Sequence, residues 1–161
     1  MAIKQYRVDG RMLHGQVCTA YGRMWSIDEY IIINDAVSTD ELQVSLLELA
    51  ALSSKVHVLS VKDAYEFISG NKCSGSNTLV VFKEIDDAAE IVCDYGLKIT
   101  DLQIGGMYSK DGRDRKKYDV ALFADDRDAA NFRRLDDAGV DLTFQVVPDY
   151  KEKKISSMIK Y

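Results

Sequence analysis

The stretch Arg7-Val8-Asp9-Gly10-Arg11-Met12-Leu13-His14-Gly15-Gln16-Val17 gathers two arginines, a carboxylate, two glycines and one of the chain's two histidines. Together these residue types handle phosphate. Arginine offers tetrahedral oxyanions a planar, permanently charged fork, and imidazole is a nucleophile near neutral pH. Helical spacing of apolar residues resumes at Val17, Ala20, Tyr21 and Met24, which puts His14 at the N-terminal edge of a helix. There the unpaired backbone N–H groups and the positive dipole end disfavour the imidazolium and favour a neutral, nucleophilic ring. A phosphate on that ring would present its oxygens to the same amides and to Arg11. The spacing alone equally allows a bland reading, in which His14 caps the helix and the arginines are solvated.

Gly10 and Gly15 also have the G-x-x-x-x-G spacing of a P-loop. That device needs a lysine and then a serine or threonine after the second glycine, and here Gln16 and Val17 stand there. Nor does a G-x-G-x-x-G follow any strand-like run. Nucleotide binding by either device is disfavoured.

The elements that must position His14 come from an alternation of short β-branched or aromatic runs with longer segments of helical periodicity. Strands are expected at Ile3 to Val8, Tyr30 to Ile33, Val56 to Leu59, Thr78 to Phe82, Asp101 to Ile104, Asp119 to Phe123 and Leu142 to Val146. Runs such as Ile31-Ile32-Ile33 and Leu79-Val80-Val81-Phe82 are apolar on consecutive positions, as in a strand covered on both faces. The clearest helix is expected from Thr39 to Ala51, with Ser38 and Glu41 as a capping box and Leu42, Leu46, Leu49 and Ala50 as an apolar stripe. Others start near Val61, Asp86 and Asp125, while Gly96 and Gly139 fall where C-terminal caps belong. This order implies an α/β fold, an open doubly wound and mostly parallel sheet of about seven strands with helices on both faces. In such sheets ligands bind beyond the carboxyl ends of the strands. One interval, Gly105 to Tyr118, shows neither period and reads as a long functional loop.

Composition sets the outer bounds. The chain has 161 residues, 47% of them hydrophobic and 29% charged, which is about one ordinary globular domain. Its formal charge of −5 argues against a nucleic-acid partner. No apolar run approaches a membrane span and no signal-peptide core opens the chain, so a cytoplasmic location is expected. Cys18, Cys73 and Cys93 are widely spaced with no C-x-x-C, and read as small packed residues.

The His14 segment resembles the phosphorylation-site signature of the IIB component of the mannose/fructose/sorbose-family bacterial phosphotransferase system (PTS). That family typically shows Arg-x-Asp-Asp-Arg-Leu-Ile-His-Gly-Gln-Val. The likeness extends to Ile-Ile-Ile-Asn-Asp-Ala-Val-Ser-Thr-Asp-Glu-Leu at 31–42, Val-Leu-Ser-Val-Lys-Asp-Ala at 58–64, the glycine pair Gly105 and Gly106, and Gln-Val-Val-Pro at 145–148. It departs at Gly10, where the family commonly has a second aspartate. The resemblance implies that residues 1–161 are a single EIIB domain of mannose/sorbose type, with six parallel strands and one antiparallel edge. It implies a transferase, a phosphohistidine–sugar phosphotransferase. His14 takes a phosphoryl group on Nδ1 from a IIA component and passes it to a sugar of the mannose, fructose, sorbose or N-acetylhexosamine class. That sugar is held by the membrane-embedded IIC and IID components, which would associate the chain peripherally with the membrane. Arg11 becomes the phosphate clamp, Asp9 orients the loop, and Gly10, Met12, Leu13, Gly15 and Gln16 form the loop backbone around the phosphate. No metal or organic cofactor is implied, and a homo-oligomer is left open.

Other residues carry weaker signals. His57, between Val56 and Val58 with no acidic neighbour in sequence, reads as structural. Asn34 and Asp35 end the second strand and either face the same cleft or make an ordinary turn. The cluster Lys110, Arg113, Arg115, Lys116 and Lys117 reads as a solvated loop or as a docking face for an acidic partner. Met12 and Leu13 are candidate apolar contacts for IIA, Leu13 equally a core residue, and Trp25 closes the first helix against the core. A competing class is a receiver domain phosphorylated on aspartate, for which Asp9 and Lys83-Glu84 supply only part of the expected set.

Overall fold

Each apolar run divides its side chains between two cores, and this is what builds the sheet. The computed structural model describes residues 2–15, 17–75 and 77–161; Gln16 lies outside the described residues. In β2 (Glu29–Ile33), Ile31 and Ile33 pack into one core while Tyr30 and Ile32 pack into the other. In β4 (Thr78–Phe82), Val80 and Phe82 go one way and Leu79 and Val81 the other. A period of two with both faces apolar is the signature of a doubly covered strand.

Six parallel strands form the sheet: β1 (Ile3–Asp9), β2, β3 (Lys55–Leu59), β4, β5 (Asp101–Gly106) and β8 (Asp141–Phe144). A seventh, β9 (Lys153–Lys154), pairs antiparallel to β8, and the order across the sheet is β3-β2-β4-β1-β5-β8-β9. The chain first winds to one side of β1 and, after β4, to the other. The carboxyl end of β1 therefore lies at the reversal of strand order, where open α/β sheets leave a crevice.

On one face lie α4 (Val61–Ser69), α5 (Ile85–Ala89) and α6 (Asp126–Asp137), whose Ala64, Ile85 and Phe132 share a core with Val8 and Ile104. The other face is covered by a wide i→i+5 turn, Val17–Tyr21, running straight into α1 (Gly22–Met24), and by α2 (Asp35–Ser38) and α3 (Glu41–Ala50). Trp25 stacks on Tyr21 at the edge of that core, with ring centroids 5.2 Å apart. Gly96 and Gly139 adopt φ of +86° and +87° beyond their helices, as C-caps do.

Several expectations are corrected. The helix after β2 is capped by Asp40, which accepts from the Gln43 amide at 3.2 Å, because Ser38 belongs to the short α2 and donates to the Asp35 carbonyl. The interval from Gly105 is not wholly irregular. β5 continues through Gly106, and β6 (Lys116–Asp119) pairs antiparallel with β7 (Leu122–Ala124), so the expected strand Asp119 to Phe123 is a hairpin turning at Val120 and Ala121. The apolar stripe of α3 is turned outward: Leu42, Leu46 and Leu49 are exposed, and Leu47 is the buried residue of that helix.

His57 does have an acidic neighbour, contributed by the adjacent strand. Its Nε2 lies 2.7 Å from Oε1 of the fully buried Glu29, which also accepts from the amides of Ser74 and Gly75. The contact is structural, tying β2 and β3 to the chain that leads into β4.

Candidate functional site

β1 delivers Asp9 to the crevice with its side chain fully buried. The chain then folds back over it. The Met12 amide donates to the Asp9 carbonyl at 2.9 Å, and the Gly10 amide to the Gly106 carbonyl of β5 at 2.9 Å. Met12 holds a φ of +60°, a left-handed conformation that costs a non-glycine residue about 1–2 kcal/mol. Burial of the Met12 and Leu13 side chains in the core holds the turn, which also removes both as surface contacts for a partner.

This reversal puts His14 over Asp9. Asp9 Oδ1 accepts the Arg11 amide at 3.0 Å, while Oδ2 lies 3.0 Å from His14 Nε2. An ionised carboxylate only accepts, so Nε2 is the donor here, and in the neutral ring the lone pair then sits on Nδ1. The ring is neither sealed in nor fully solvated, its side chain 18% exposed. The His14 carbonyl accepts from the Cys18 amide at 3.0 Å, a helical bond that leads into the Val17–Tyr21 turn.

Two arginines flank Asp9 in opposite environments. Arg11 is 41% exposed, with Nε 3.7 Å from Asp9 Oδ1 and its guanidinium 5.1 Å over the ring of Tyr108. Arg7 is fully buried. It donates to Gln103 Oε1 at 2.6 Å and to the carbonyls of Gln145 and Val146, and lies 4.6 Å over the Tyr21 ring. Its Nε has no hydrogen bond among the described residues and faces Asp9 Oδ2 at 3.9 Å. Burial pulls the Arg7 pKa down, opposed by Tyr21 and Asp9. Asp9 is thus a buried carboxylate between two guanidiniums and an imidazole.

The glycine pair makes room for this. A Cβ on Gly105 would overlap the Arg7 guanidinium, and one on Gly106 would overlap the Tyr108 ring. Gly10 faces the same ring, where a Cβ would stand 3.4 Å from Tyr108 Cδ2, an ordinary van der Waals contact. Gly15 opens onto free space and lines a groove of about 560 Å³ with Ala20, Met24, Val147 and Pro148.

Other candidates are placed elsewhere. Asn34 caps α2 by accepting from the Val37 amide at 3.1 Å, and its Nδ2 donates to Asp87 Oδ2 at 3.0 Å. Asp35 accepts the Val61 amide at 2.9 Å. Both end β2, with β4 between them and β1, and they brace helices rather than meet His14. The basic cluster divides: Lys110, Lys116 and Lys117 are exposed, as a solvated loop requires, whereas its two arginines are paired. Arg113 forks onto Asp125 at 2.7 and 2.6 Å, and Arg115 binds Asp128 through Nε at 3.0 Å and the Tyr108 carbonyl at 2.9 Å. The Arg113 fork holds the Asp125 carboxyl well below the usual range. The free cysteines have their thiol pKa values raised by burial.

Sequence reading missed Tyr108, Tyr21, Gln103 and Gln145. Nothing in spacing signals them: Tyr21 ends the wide turn after the His14 loop, Gln103 lies within β5 and Tyr108 just beyond it, and Gln145 follows β8.

The His14 imidazole, the partly exposed Arg11 guanidinium and the buried Asp9 carboxylate thus meet at the end of the central strand β1 of an α/β sheet. The family described as PTS system sorbose subfamily IIB component matches residues 3–161. The chain belongs to this family. It is similar to the sorbose-specific EIIB component of Klebsiella pneumoniae, 34% identical over 148 residues, covering 91% of this chain and 88% of that protein. The crystal structure of the IIBSor domain of the sorbose permease from Klebsiella pneumoniae superposes with a TM-score of 0.88 at 32% identity, covering 98% of this chain and 96% of that one. The mannose-specific EIIAB component of Escherichia coli K12 is 27% identical over 160 residues, and this chain spans only 49% of its length. Among the described residues no helix is long and apolar enough to cross a membrane.

Proposed function

We propose that this chain is the phosphohistidine carrier of a sugar phosphotransferase system, working in the cytoplasm as one EIIB domain, with His14 as the group that is phosphorylated. The carrying observation is the 3.0 Å contact between His14 Nε2 and Asp9 Oδ2, which supports a proton on Nε2 and Nδ1 as the nucleophile. The Nδ1 lone pair attacks the phosphorus of a phosphohistidine on the IIA component; the P–N bond to the donor ring breaks as the bond to Nδ1 forms. With Nε2–H retained, the phosphorylated ring is cationic, and the buried Asp9 carboxylate stabilises that charge. Arg11 and the helix-start amides share the phosphate oxygens. Phosphoryl transfer needs chiefly this positioning and charge neutralisation.

In the second step a sugar hydroxyl, held by the IIC and IID membrane components, attacks the phosphorus and releases its proton to water. The P–Nδ1 bond breaks and a neutral imidazole leaves. The substrate is a hexose of the mannose, fructose, sorbose or N-acetylhexosamine class. A receiver-like reading is disfavoured because Asp9 is fully buried and bonded to Arg11 and His14, not free to accept phosphate.

The test is incubation with phosphorylated IIA followed by acid and alkali treatment. Phosphohistidine is lost in mild acid and survives alkali, whereas an acyl phosphate is destroyed by base as well. Uptake of an acid-labile, base-stable phosphate that disappears in His14→Ala is expected. Undiminished uptake by His14→Ala contradicts the assignment.

A further inference from the structure

Arg7 is fully buried next to Asp9, and it carries a charge into a place where charge is costly. Its hydrogen bonds do not account for that charge. Nη1 donates to Gln103 Oε1 at 2.6 Å and to the Gln145 carbonyl at 3.1 Å, and Nη2 donates to the Val146 carbonyl. The Tyr21 hydroxyl donates to the same Gln103 oxygen at 3.0 Å, and Gln103 Nε2 donates to Gln145 Oε1 at 3.0 Å, which fixes the acceptors in turn. Every acceptor of Arg7 in this set is neutral, and neutral donors could serve them at a lower cost of burial. What Arg7 adds is a permanent cation.

Among the described residues Asp9 is the one carboxylate within ion-pair distance of Arg7, with Nε 3.9 Å from Oδ2. Nε is also the one nitrogen of this guanidinium without a hydrogen bond among them. Gly105 leaves the space that the guanidinium fills, since a Cβ there would overlap it. Oδ2 is the oxygen that faces His14 Nε2 at 3.0 Å, whereas the Arg11 amide and Nε address Oδ1. The two arginines are not equivalent supports for Asp9. Arg11 is 41% exposed, so solvent and salt weaken its hold, and an arriving phosphate competes for it. Arg7 is sealed in and escapes both. A buried carboxylate with no cation beside it sheds its charge by taking up a proton. A protonated Asp9 would be a donor as well as an acceptor. Donating to His14 Nε2, it would leave the ring's own proton on Nδ1 and remove the nucleophile.

We propose that Arg7 is a positioning residue for phosphoryl transfer at His14: its buried charge keeps Asp9 an acceptor only, and so selects the ring tautomer with Nδ1 free. It acts through Asp9 rather than on the phosphate. This rests on the reading of His14 as the phosphorylated group and adds what sets its reactive nitrogen. The rate of transfer then follows the fraction of rings held in that tautomer.

The test compares the full chain with Arg7→Met, which loses the charge, and Arg7→Lys, which restores it. The ring ¹⁵N shifts of His14 report the tautomer and the ¹³C shift of the Asp9 carboxyl reports its charge, both without a phosphoryl donor. At about pH 8, where an ordinary imidazole is neutral, the wild-type chain is expected to show an ionised Asp9 and a proton on Nε2. Arg7→Met is expected to cut the Nε2–H fraction to about a tenth and to slow single-turnover phosphorylation by IIA in the same proportion, about tenfold. Arg7→Lys is expected to keep the wild-type tautomer and to hold the rate within about fivefold. A wild-type tautomer in Arg7→Met overturns the proposal, and a slower rate there would then reflect lost packing alone. A protonated Asp9 in the wild-type chain overturns it as well, and that measurement needs no variant to fold. Urea unfolding supplies an independent arm. Arg7→Met and Asp9→Asn each leave a buried charge without its partner, so the double variant is expected to lose clearly less stability than the two singles summed. Additive losses overturn the pairing. Failure of the carrier reading looks different: the wild-type chain then takes no phosphate from IIA, while the tautomer comparison still decides whether Arg7 positions the ring.

Discussion

The Arg11 guanidinium stands 5.1 Å over the ring of Tyr108, and the Tyr108 carbonyl is held in turn by Arg115 at 2.9 Å. An exposed arginine ordinarily samples many rotamers, and the aromatic face restricts Arg11 to positions above the loop. Arg115 is itself anchored on the buried Asp128. The ion network around residues 113–128 thereby acts as the foundation of the site.

Replacing Tyr108 with leucine removes the π face and is expected to slow phosphoryl transfer from IIA about twofold to thirtyfold, the span of a cation–π contact of about 0.5–2 kcal/mol. Tyr108→Phe keeps the ring and is expected to retain the wild-type rate, since burial raises the phenol pKa and keeps the hydroxyl neutral. Stopped-flow measurement of both variants checks this. Equal loss in Phe and Leu would show that the hydroxyl matters instead.

Arg11→Lys keeps the charge and loses the planar fork. Transfer is expected to slow by about one to two orders of magnitude, a loss of ~1.4–2.7 kcal/mol of transition-state stabilisation. The measurement is the single-turnover rate of His14 phosphorylation and of its discharge to sugar. An unchanged rate in both steps means that Arg11 does not hold the phosphate.

Stability is expected to depend on pH through Asp87. Burial pushes its carboxyl up to about 6 from an ordinary 3.8, against the opposing hydrogen bonds from Asn34 and the Glu84 amide. The folded state therefore holds a proton that the unfolded chain releases. Its stabilising effect is complete below about pH 4 and is lost as pH rises through about 6. Urea unfolding of wild type against Asp87→Asn is expected to show a gap that widens by up to about 3 kcal/mol between pH 4 and 7, with the asparagine chain gaining. Parallel stability curves across that range contradict the assignment.

Much of this architecture was legible because burial on both faces writes itself into sequence. Ile31-Ile32-Ile33 announces a covered strand, and Gly96 and Gly139 announce helix ends. β9 was not legible, because Lys153 and Lys154 join the sheet through backbone pairing at an edge and carry no apolar period. The α3 leucines show the opposite failure. Periodicity reveals that a helix has an apolar side but not whether its own fold or another molecule covers it. At the site, the arginine–histidine segment stood out through residue types alone. Tyr108, and the Glu29 partner of His57, were hidden because each contact joins elements that become neighbours only in the folded sheet.

Phosphorus–nitrogen correlation by NMR on the ¹⁵N-labelled chain, after phosphorylation by IIA, tests the central claim most directly. A phosphorus coupled to Nδ1 of His14, with the Nε2 proton still hydrogen-bonded to Asp9, is the predicted result. Phosphate on Nε2 of His14, on His57, or on any carboxylate would contradict the account.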